Sequence, residues 1–154
     1  MQTSLKILLS YNFIKFTHLF MSSESSLLVQ EYYKNNQYNK TLDHATVSFS
    51  QWNSLCGDTI TIYLTIEGDV IKDYAYSGEP AQITKAAAEF LWEFIIWEKI
   101  QNVLTRNADR VKSEGFEVSH RRIRSSISAL LACRNSIHHY LQDNIIDEYE
   151  DLID

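Results

Sequence analysis

Residues 53–66 read NSLCGDTITIYLTI, and the second half of this stretch decides the fold. From position 59 to position 66, polar and apolar side chains alternate strictly, which is the period of a β-strand with one buried face. A cysteine and an aspartate precede the strand on either side of Gly57, a residue type that adopts backbone angles closed to others. The stretch therefore predicts a turn that presents Cys56 and Asp58 at the start of a half-buried strand.

Two further segments fit the same sheet. Residues 46–52 alternate, with Val47 and Phe49 on one face. Glu-Gly-Asp at 67–69 is typical of a turn, and residues 70–76 resume the β pattern. The three segments predict an antiparallel meander with one buried face.

The hydrophobic period then changes from two to 3.6 residues. This change predicts a helix over 84–104, with Thr84 as its N-cap, and a second long helix over 123–141. A short helix is expected over 27–34, and residues 107–120 are polar and expected to be partly irregular. The order helix, three strands, helix, helix predicts an α+β domain, with a three-stranded antiparallel sheet and its helices packed on one face.

The composition is that of one globular domain. The chain has 154 residues, of which 45% are hydrophobic, and this excludes a disordered protein. The net charge of −6 is local, because residues 143–154 hold six of the 20 acidic residues and leave 14 to balance the 14 lysines and arginines. A neutral body lacks the basic footprint of a nucleic-acid-binding protein. The segment 143–154 is expected to be a solvated acidic tail.

The chain is predicted to contain an N-terminal extension at 1–26, a domain at 27–142 and the acidic tail. The extension admits two interpretations: a targeting presequence, or a poorly ordered stretch upstream of a true start at Met21. No run of eighteen apolar residues occurs, so no membrane span is predicted. Two cysteines in unrelated contexts favour a reducing, cytoplasmic location.

From Asn53 to about Glu93, the sequence resembles the iron–sulfur cluster assembly scaffold family, the NifU N-terminal, IscU or SufU-like domain. Asn-Ser-Leu-Cys-Gly-Asp at 53–58 is similar to the family's Asn-Pro-x-Cys-Gly-Asp. Ser-Gly-Glu at 77–79 and Pro-Ala-Gln-Ile-Thr-Lys-Ala-Ala-Ala at 80–88 follow in family order. The resemblance implies an IscU/NifU-like fold and a non-catalytic role in iron–sulfur cluster assembly.

The resemblance also implies a metal site at Cys56 and Asp58. Family members hold zinc or a nascent iron–sulfur cluster with three cysteines and this aspartate. Thiolates bind iron strongly, and the weaker carboxylate lets the cluster leave. In this chain the second cysteine position is Ala81, which cannot bind a metal, and Ser125 is the best match to the third.

Two other residues are candidate replacements for the missing ligands. His120 lies near the third position and carries an imidazole, and a solvated loop histidine is the favoured alternative. Cys133 follows Ser125 by eight residues, roughly 12 Å along a helix, so it could replace the ligand only in a shifted register. The alternative for both cysteines is a buried thiol that packs as a small hydrophobic side chain. Asp58 could instead cap the turn.

Three functions are compatible with these residues. The first is a scaffold-like protein that binds iron, zinc or a nascent cluster with an incomplete ligand set. The second is an interaction module that keeps the fold and binds no metal. The third, an enzyme with Cys56 as nucleophile, lacks a recognisable base, so the chain is predicted not to be an enzyme. Expected partners are a cysteine desulfurase or other assembly proteins, with a homodimer as a further possibility, and neither nucleic acid nor membrane.

Overall fold

The computed structural model of the chain describes residues 24–153, so most of the predicted N-terminal extension lies outside the described residues. We number the helices and strands in chain order. They are α1 (Glu24–Lys34), β1 (Val47–Asn53), β2 (Asp58–Glu67), β3 (Val70–Glu79), α2 (Gln82–Ile95), α3 (Ile100–Leu104), α4 (Ala108–Ser113), a 3₁₀ turn (His120–Arg122), α5 (Ile123–Leu141) and α6 (Tyr149–Leu152). None of the helices in this part of the chain has the length and apolar character needed to cross a membrane.

The three strands form one antiparallel sheet in the order β1-β2-β3. Burial alternates along β2, whose isoleucines and Leu64 face the core while its threonines and Tyr63 are more exposed. The long helix α5 packs across β1 and β2, α2 packs against α5, and α1 packs on α2. The predicted α+β fold, with an antiparallel sheet and its helices on one face, is confirmed.

Two tyrosines of β3 bring polar groups into the core, and each has a partner. The Tyr74 hydroxyl donates to the Ala88 carbonyl at 2.9 Å, and the Tyr76 hydroxyl donates to Glu89 Oε1 at 2.7 Å. The backbone N–H of Tyr38 donates to the same carboxylate oxygen at 3.3 Å. Burial raises the pKa of both β3 tyrosines, so they remain neutral donors. A buried carboxylate is tolerated here because it accepts these bonds.

The single helix predicted over 84–104 is two helices. α2 ends at Ile95, and the chain passes through Trp97, whose φ is +64°, before α3 begins. The intervening residues pair with β3, since Trp97 N donates to Ile71 O at 2.8 Å and Ile71 N donates to Glu98 O at 3.0 Å. The helical period continues through the break, but hydrogen bonds to the sheet edge override it.

The helix starts differ from prediction in one case and agree in another. α2 begins at Gln82 with Ala81 as N-cap, so the assignment of Thr84 as N-cap is wrong. The side chain of Thr84 is instead buried in the first turn of α2. α5 covers the predicted range 123–141. Within the region expected to be irregular, Asn107 caps α4 by accepting a hydrogen bond from Arg110 N at 3.0 Å.

The acidic C-terminal segment packs on α5. Asp147 is buried, and its carboxylate accepts a hydrogen bond from Arg134 Nε at 2.6 Å. The side chain of Asn135 accepts from Asp147 N at 2.7 Å and donates to Asp147 O at 3.0 Å. Tyr149 and Leu152 are buried too. The expectation of a wholly solvated tail is wrong, because Asp147, Tyr149 and Leu152 are buried, whereas Ile145 and Ile146 are exposed.

Gly78 and Gly115 allow the close contact between β2 and β3 to be tested. Both have a strongly positive φ, +115° and +110°, but a Cβ on Gly78 would lie 2.6 Å from the carbonyl oxygen of Thr59, whereas one on Gly115 would meet nothing. Backbone strain should cost each alanine variant about 1–3 kcal/mol. We expect Gly78→Ala to lose roughly a further 1–3 kcal/mol through the collision, measured by urea unfolding. Equal losses in the two variants would contradict this account.

Candidate metal centre

The turn between β1 and β2 is held by Asn53. Its carbonyl oxygen accepts from the backbone N–H groups of Cys56 at 3.2 Å and Gly57 at 2.7 Å, and its side-chain oxygen accepts from Leu55 N at 3.2 Å. Gly57 has φ +68°, a conformation that glycine adopts without strain. These bonds close the four-residue turn and place Cys56, which is exposed, at its surface.

The structure brings Cys56 together with Ser125. The Cys56 Sγ lies 3.3 Å from the Ser125 Oγ, although the two residues are 69 positions apart. Ser125 sits in the first turn of α5 and is 4% exposed. The position matched to the third family cysteine is therefore beside the thiol, but it offers a neutral hydroxyl in place of a thiolate.

The structure also brings Asp58 together with Ala81. Asp58 is 6% exposed, and its Oδ2 accepts a hydrogen bond from Ala81 N at 3.1 Å. Its Oδ1 is buried and has no hydrogen-bond partner among the described residues. One carboxylate oxygen therefore binds the backbone N–H of Ala81, the residue that precedes α2, and not a backbone N–H of the turn that the capping alternative named.

Two residues that the sequence did not single out for the site also carry buried polar atoms without a partner among the described residues. Asn53 is the cross-strand partner of Asp58, and Thr84 lies in the first turn of α2, the helix that follows Ala81. Asn53 Nδ2 and Thr84 Oγ1 are buried without a hydrogen-bond partner in the part of the chain that is described. Unpaired buried polar atoms cost free energy, so each of them calls for an explanation such as a bound water or ion. Asn53 could have been found as the first residue of the motif.

The other two candidate ligands lie elsewhere. Cys133 is fully buried in the core on α5, and burial raises the pKa of its thiol to about 12, which disfavours the thiolate that a metal requires. His120 is exposed in the 3₁₀ turn. Across residues 24–153, no group of three or more His, Cys, Asp and Glu side chains is placed to hold a metal ion.

The residues present fit half of a metal site. Cys56 offers one exposed thiol, and Asp58 offers one free carboxylate oxygen. Zinc and iron both accept this pair of donors, but structural zinc normally takes four. The remaining two family positions hold the Ala81 methyl group and the Ser125 hydroxyl. The chain alone therefore offers two of the four donors that such a site would need.

Comparison with known proteins identifies the family. The family model described as the NifU-like N terminal domain matches residues 25–147. This chain belongs to that family. The predicted family is confirmed, and the motif at 53–58 lies within the matched residues of this NifU-like domain.

Two curated relatives and one crystal structure show how far the likeness extends. The NifU-like domain is 34% identical over 100 residues to the iron–sulfur cluster assembly scaffold protein IscU of Thermotoga maritima. This matched region covers 63% of this chain and 68% of the relative. The domain is 27% identical over 78 residues to the zinc-dependent sulfurtransferase SufU of Bacillus subtilis, and this second matched region covers 51% of this chain and 52% of that protein. The N-terminal part of a nitrogen-fixing NifU-like protein from Brucella abortus superposes with a TM-score of 0.63 at 17% identity, over 75% of this chain and 93% of that one. The last comparison supports the fold alone.

The two thiols of this NifU-like domain should react very differently. Iodoacetamide should modify Cys56 in the folded protein and leave Cys133 unmodified, because Cys133 is fully buried. Mass spectrometry should show one adduct in native buffer and two in denaturant. In Cys56→Ser the native protein should take none, and one native adduct on that variant would contradict the described burial.

Proposed function

We propose that this NifU-like domain is a scaffold-like protein of iron–sulfur cluster assembly that binds iron, zinc or a nascent cluster weakly through Cys56 and Asp58. One observation carries the proposal: an exposed thiol and an unpartnered carboxylate oxygen share one turn at the family motif. A soft sulfur donor beside a harder oxygen donor suits zinc and iron, and neither atom is needed to hold the turn together.

The names of the relatives support iron, zinc or a nascent iron–sulfur cluster as the species that the domain binds. The Thermotoga protein is named a scaffold of iron–sulfur cluster assembly, and the Bacillus protein is named a zinc-dependent sulfurtransferase. Both names involve chemistry in which thiols handle sulfur, iron or zinc. Cys56 is the residue of this chain that matches such a thiol and is exposed.

Each residue of the turn has a distinct part in binding. Cys56 must lose its proton to become a ligand, and the Ser125 hydroxyl at 3.3 Å can donate a hydrogen bond to the resulting thiolate. The Ala81 N–H holds Asp58 Oδ2, which fixes the carboxylate plane and leaves Oδ1 as the second donor. The mechanism is non-catalytic, because these residues hold a cargo that other proteins deliver.

Weak binding follows from the ligand count. A [2Fe–2S] cluster is normally held by four protein ligands, commonly all thiolates. With one thiolate and one carboxylate, the isolated monomer should not retain a stable cluster. A partner such as a cysteine desulfurase would then bring the sulfur and complete the coordination during transfer.

A second function is an interaction module of the same machinery that binds no metal. The observation in its favour is that the Cys56 thiol already has a neutral partner in Ser125 while the core of the fold is intact. Such a module would use the surface around the turn to bind an assembly protein. It differs from the first proposal in requiring no metal at Cys56.

Metal content separates the two functions. Protein purified without oxygen should contain iron or zinc at up to one ion per chain, and Cys56→Ala should lose it because the one available thiolate is gone. The measurement is metal and acid-labile sulfide per chain. Cys133→Ala is the matched control, since it removes the buried thiol and should keep the metal once circular dichroism shows that it folds. Metal retained by Cys56→Ala would contradict the proposed site, and no metal in any variant would favour the interaction module.

Restoring the missing thiols should restore cluster binding. Ala81 adjoins Asp58 and Ser125 adjoins Cys56, so the double variant Ala81→Cys/Ser125→Cys would place three thiols and one carboxylate at one end of the sheet. After anaerobic reconstitution and desalting, this variant should keep the visible absorption of a [2Fe–2S] cluster, and wild type should lose it. Ala81→Ser/Ser125→Ala is the control without added thiols. A persistent, fully occupied cluster on the wild-type monomer would refute the ligand count.

A further inference from the structure

An open groove of about 540 Å³ lies where α1, the start of α2 and the 3₁₀ turn meet. This volume is within the range of about 300–1,000 Å³ that is usual for binding clefts. Three apolar side chains from these elements form its floor, and two arginines stand beside them. We call it the arginine groove, and its lining includes Val29, Ile83, Val118, Arg121 and Arg122.

The two arginines of the groove are unpaired within the described part of the chain. Arg121 and Arg122 are exposed, and neither side chain has an ion pair or a hydrogen bond to any of residues 24–153. Glu117 also lines the groove, but its carboxylate lies 3.3 Å from Lys112 Nζ. The groove therefore presents two guanidinium groups, which match carboxylates in geometry as well as in charge.

The other arginines of this region already have acidic partners. Residues 118–142 contain four arginines and no acidic residue. The acidic C-terminal segment neutralises two of them, since Arg124 pairs with Glu150 and Arg134 pairs with Asp147. The two arginines that this segment does not reach are those of the arginine groove.

The contact at Arg124 shows what chemistry satisfies an arginine on this surface. Its guanidinium group pairs with Glu150 and lies 4.9 Å from the ring centre of Tyr149, which is buried. One short segment thus supplies a carboxylate and an apolar side chain together. Arg121 and Arg122 border an apolar floor, so the groove offers the same combination to a segment from outside the chain.

We propose that the arginine groove binds a short acidic segment of a partner protein, with carboxylates on Arg121 and Arg122 and an apolar side chain on the floor. A peptide fits better than a nucleic acid, because Glu117 in the lining and the net charge of −6 both oppose a polyanion. The inference goes beyond the proposed function, since neither Cys56 nor Asp58 lines the groove.

Peptide selection tests the chemistry of the partner. Random heptapeptides displayed on phage are selected against the full chain, kept reduced and in EDTA so that no metal takes part. The enriched sequences should combine Asp or Glu with large apolar residues. The best of them, labelled with fluorescein, should bind less tightly as sodium chloride is added, because salt screens exposed charges. Enrichment of basic or uncharged sequences would overturn the proposal.

Charge reversal assigns the selected peptide to the groove. Arg121→Glu/Arg122→Glu should weaken its binding about tenfold or more, measured by fluorescence polarisation. Lys34→Glu/Lys40→Glu is the matched control, because it changes the net charge equally at exposed lysines outside the groove lining and should keep the affinity. A peptide with Lys in place of its acids should bind the arginine variant better than wild type. Equal losses in the two double variants would overturn the assignment.

Two further variants separate the floor of the groove from the thiol. Val118→Ser keeps both arginines and should weaken peptide binding about threefold or more, because it removes apolar contact area. Cys56→Ala should bind the peptide like wild type, so a failed metal experiment and a failed peptide experiment are distinguishable. Circular dichroism checks that each variant is folded. A single-stranded oligonucleotide that binds more tightly than the peptide, and is lost in the arginine variant, would overturn the peptide assignment.

Discussion

The burial of one face of β2 is the constraint on which the rest of the structure depends. Ile60, Ile62 and Leu64 are at most 1% exposed beneath the helices. Burying each such side chain contributes about 1.5–3 kcal/mol, and β2 also pairs with a strand on either side. Because α5 must cover this face, its first turn lies at the end of the sheet where the β1–β2 turn emerges. That placement puts Ser125 beside Cys56.

Buried polar groups in the core have hydrogen-bond partners, whereas some at the candidate site have none among the described residues. Glu89 is buried with two donors, and Asp147 is buried against Arg134 and Asn135. Asp58 Oδ1 and the Thr84 hydroxyl are buried with no partner among the described residues. Folded proteins rarely leave such atoms unpaired, and the exceptions call for a functional explanation. The contrast supports Asp58 as part of the candidate site on physical grounds that do not depend on the family.

The fold and the ligand set are separable in this chain. The core consists of the apolar face of the sheet and the helices that cover it, and none of the four family ligand positions is needed to build it. Ala81 and Ser125 could therefore occupy two of these positions without loss of the fold. The consequence is a domain that keeps the fold and an exposed thiol at Cys56.

The sequence by itself determined the elements whose side chains repeat with a clear period. Alternation over 59–66 was enough to predict β2, and the apolar stripe predicted the bounds of α5. Cys56-Gly57-Asp58 predicted the candidate site. Only the tertiary structure decided that Cys56 meets Ser125, that Ala81 N holds one oxygen of Asp58, that the helix breaks at Trp97, and that the acidic segment docks on α5. The physical reason is that a local period encodes which face of an element is buried, whereas contacts between residues far apart in the chain depend on where one element crosses another.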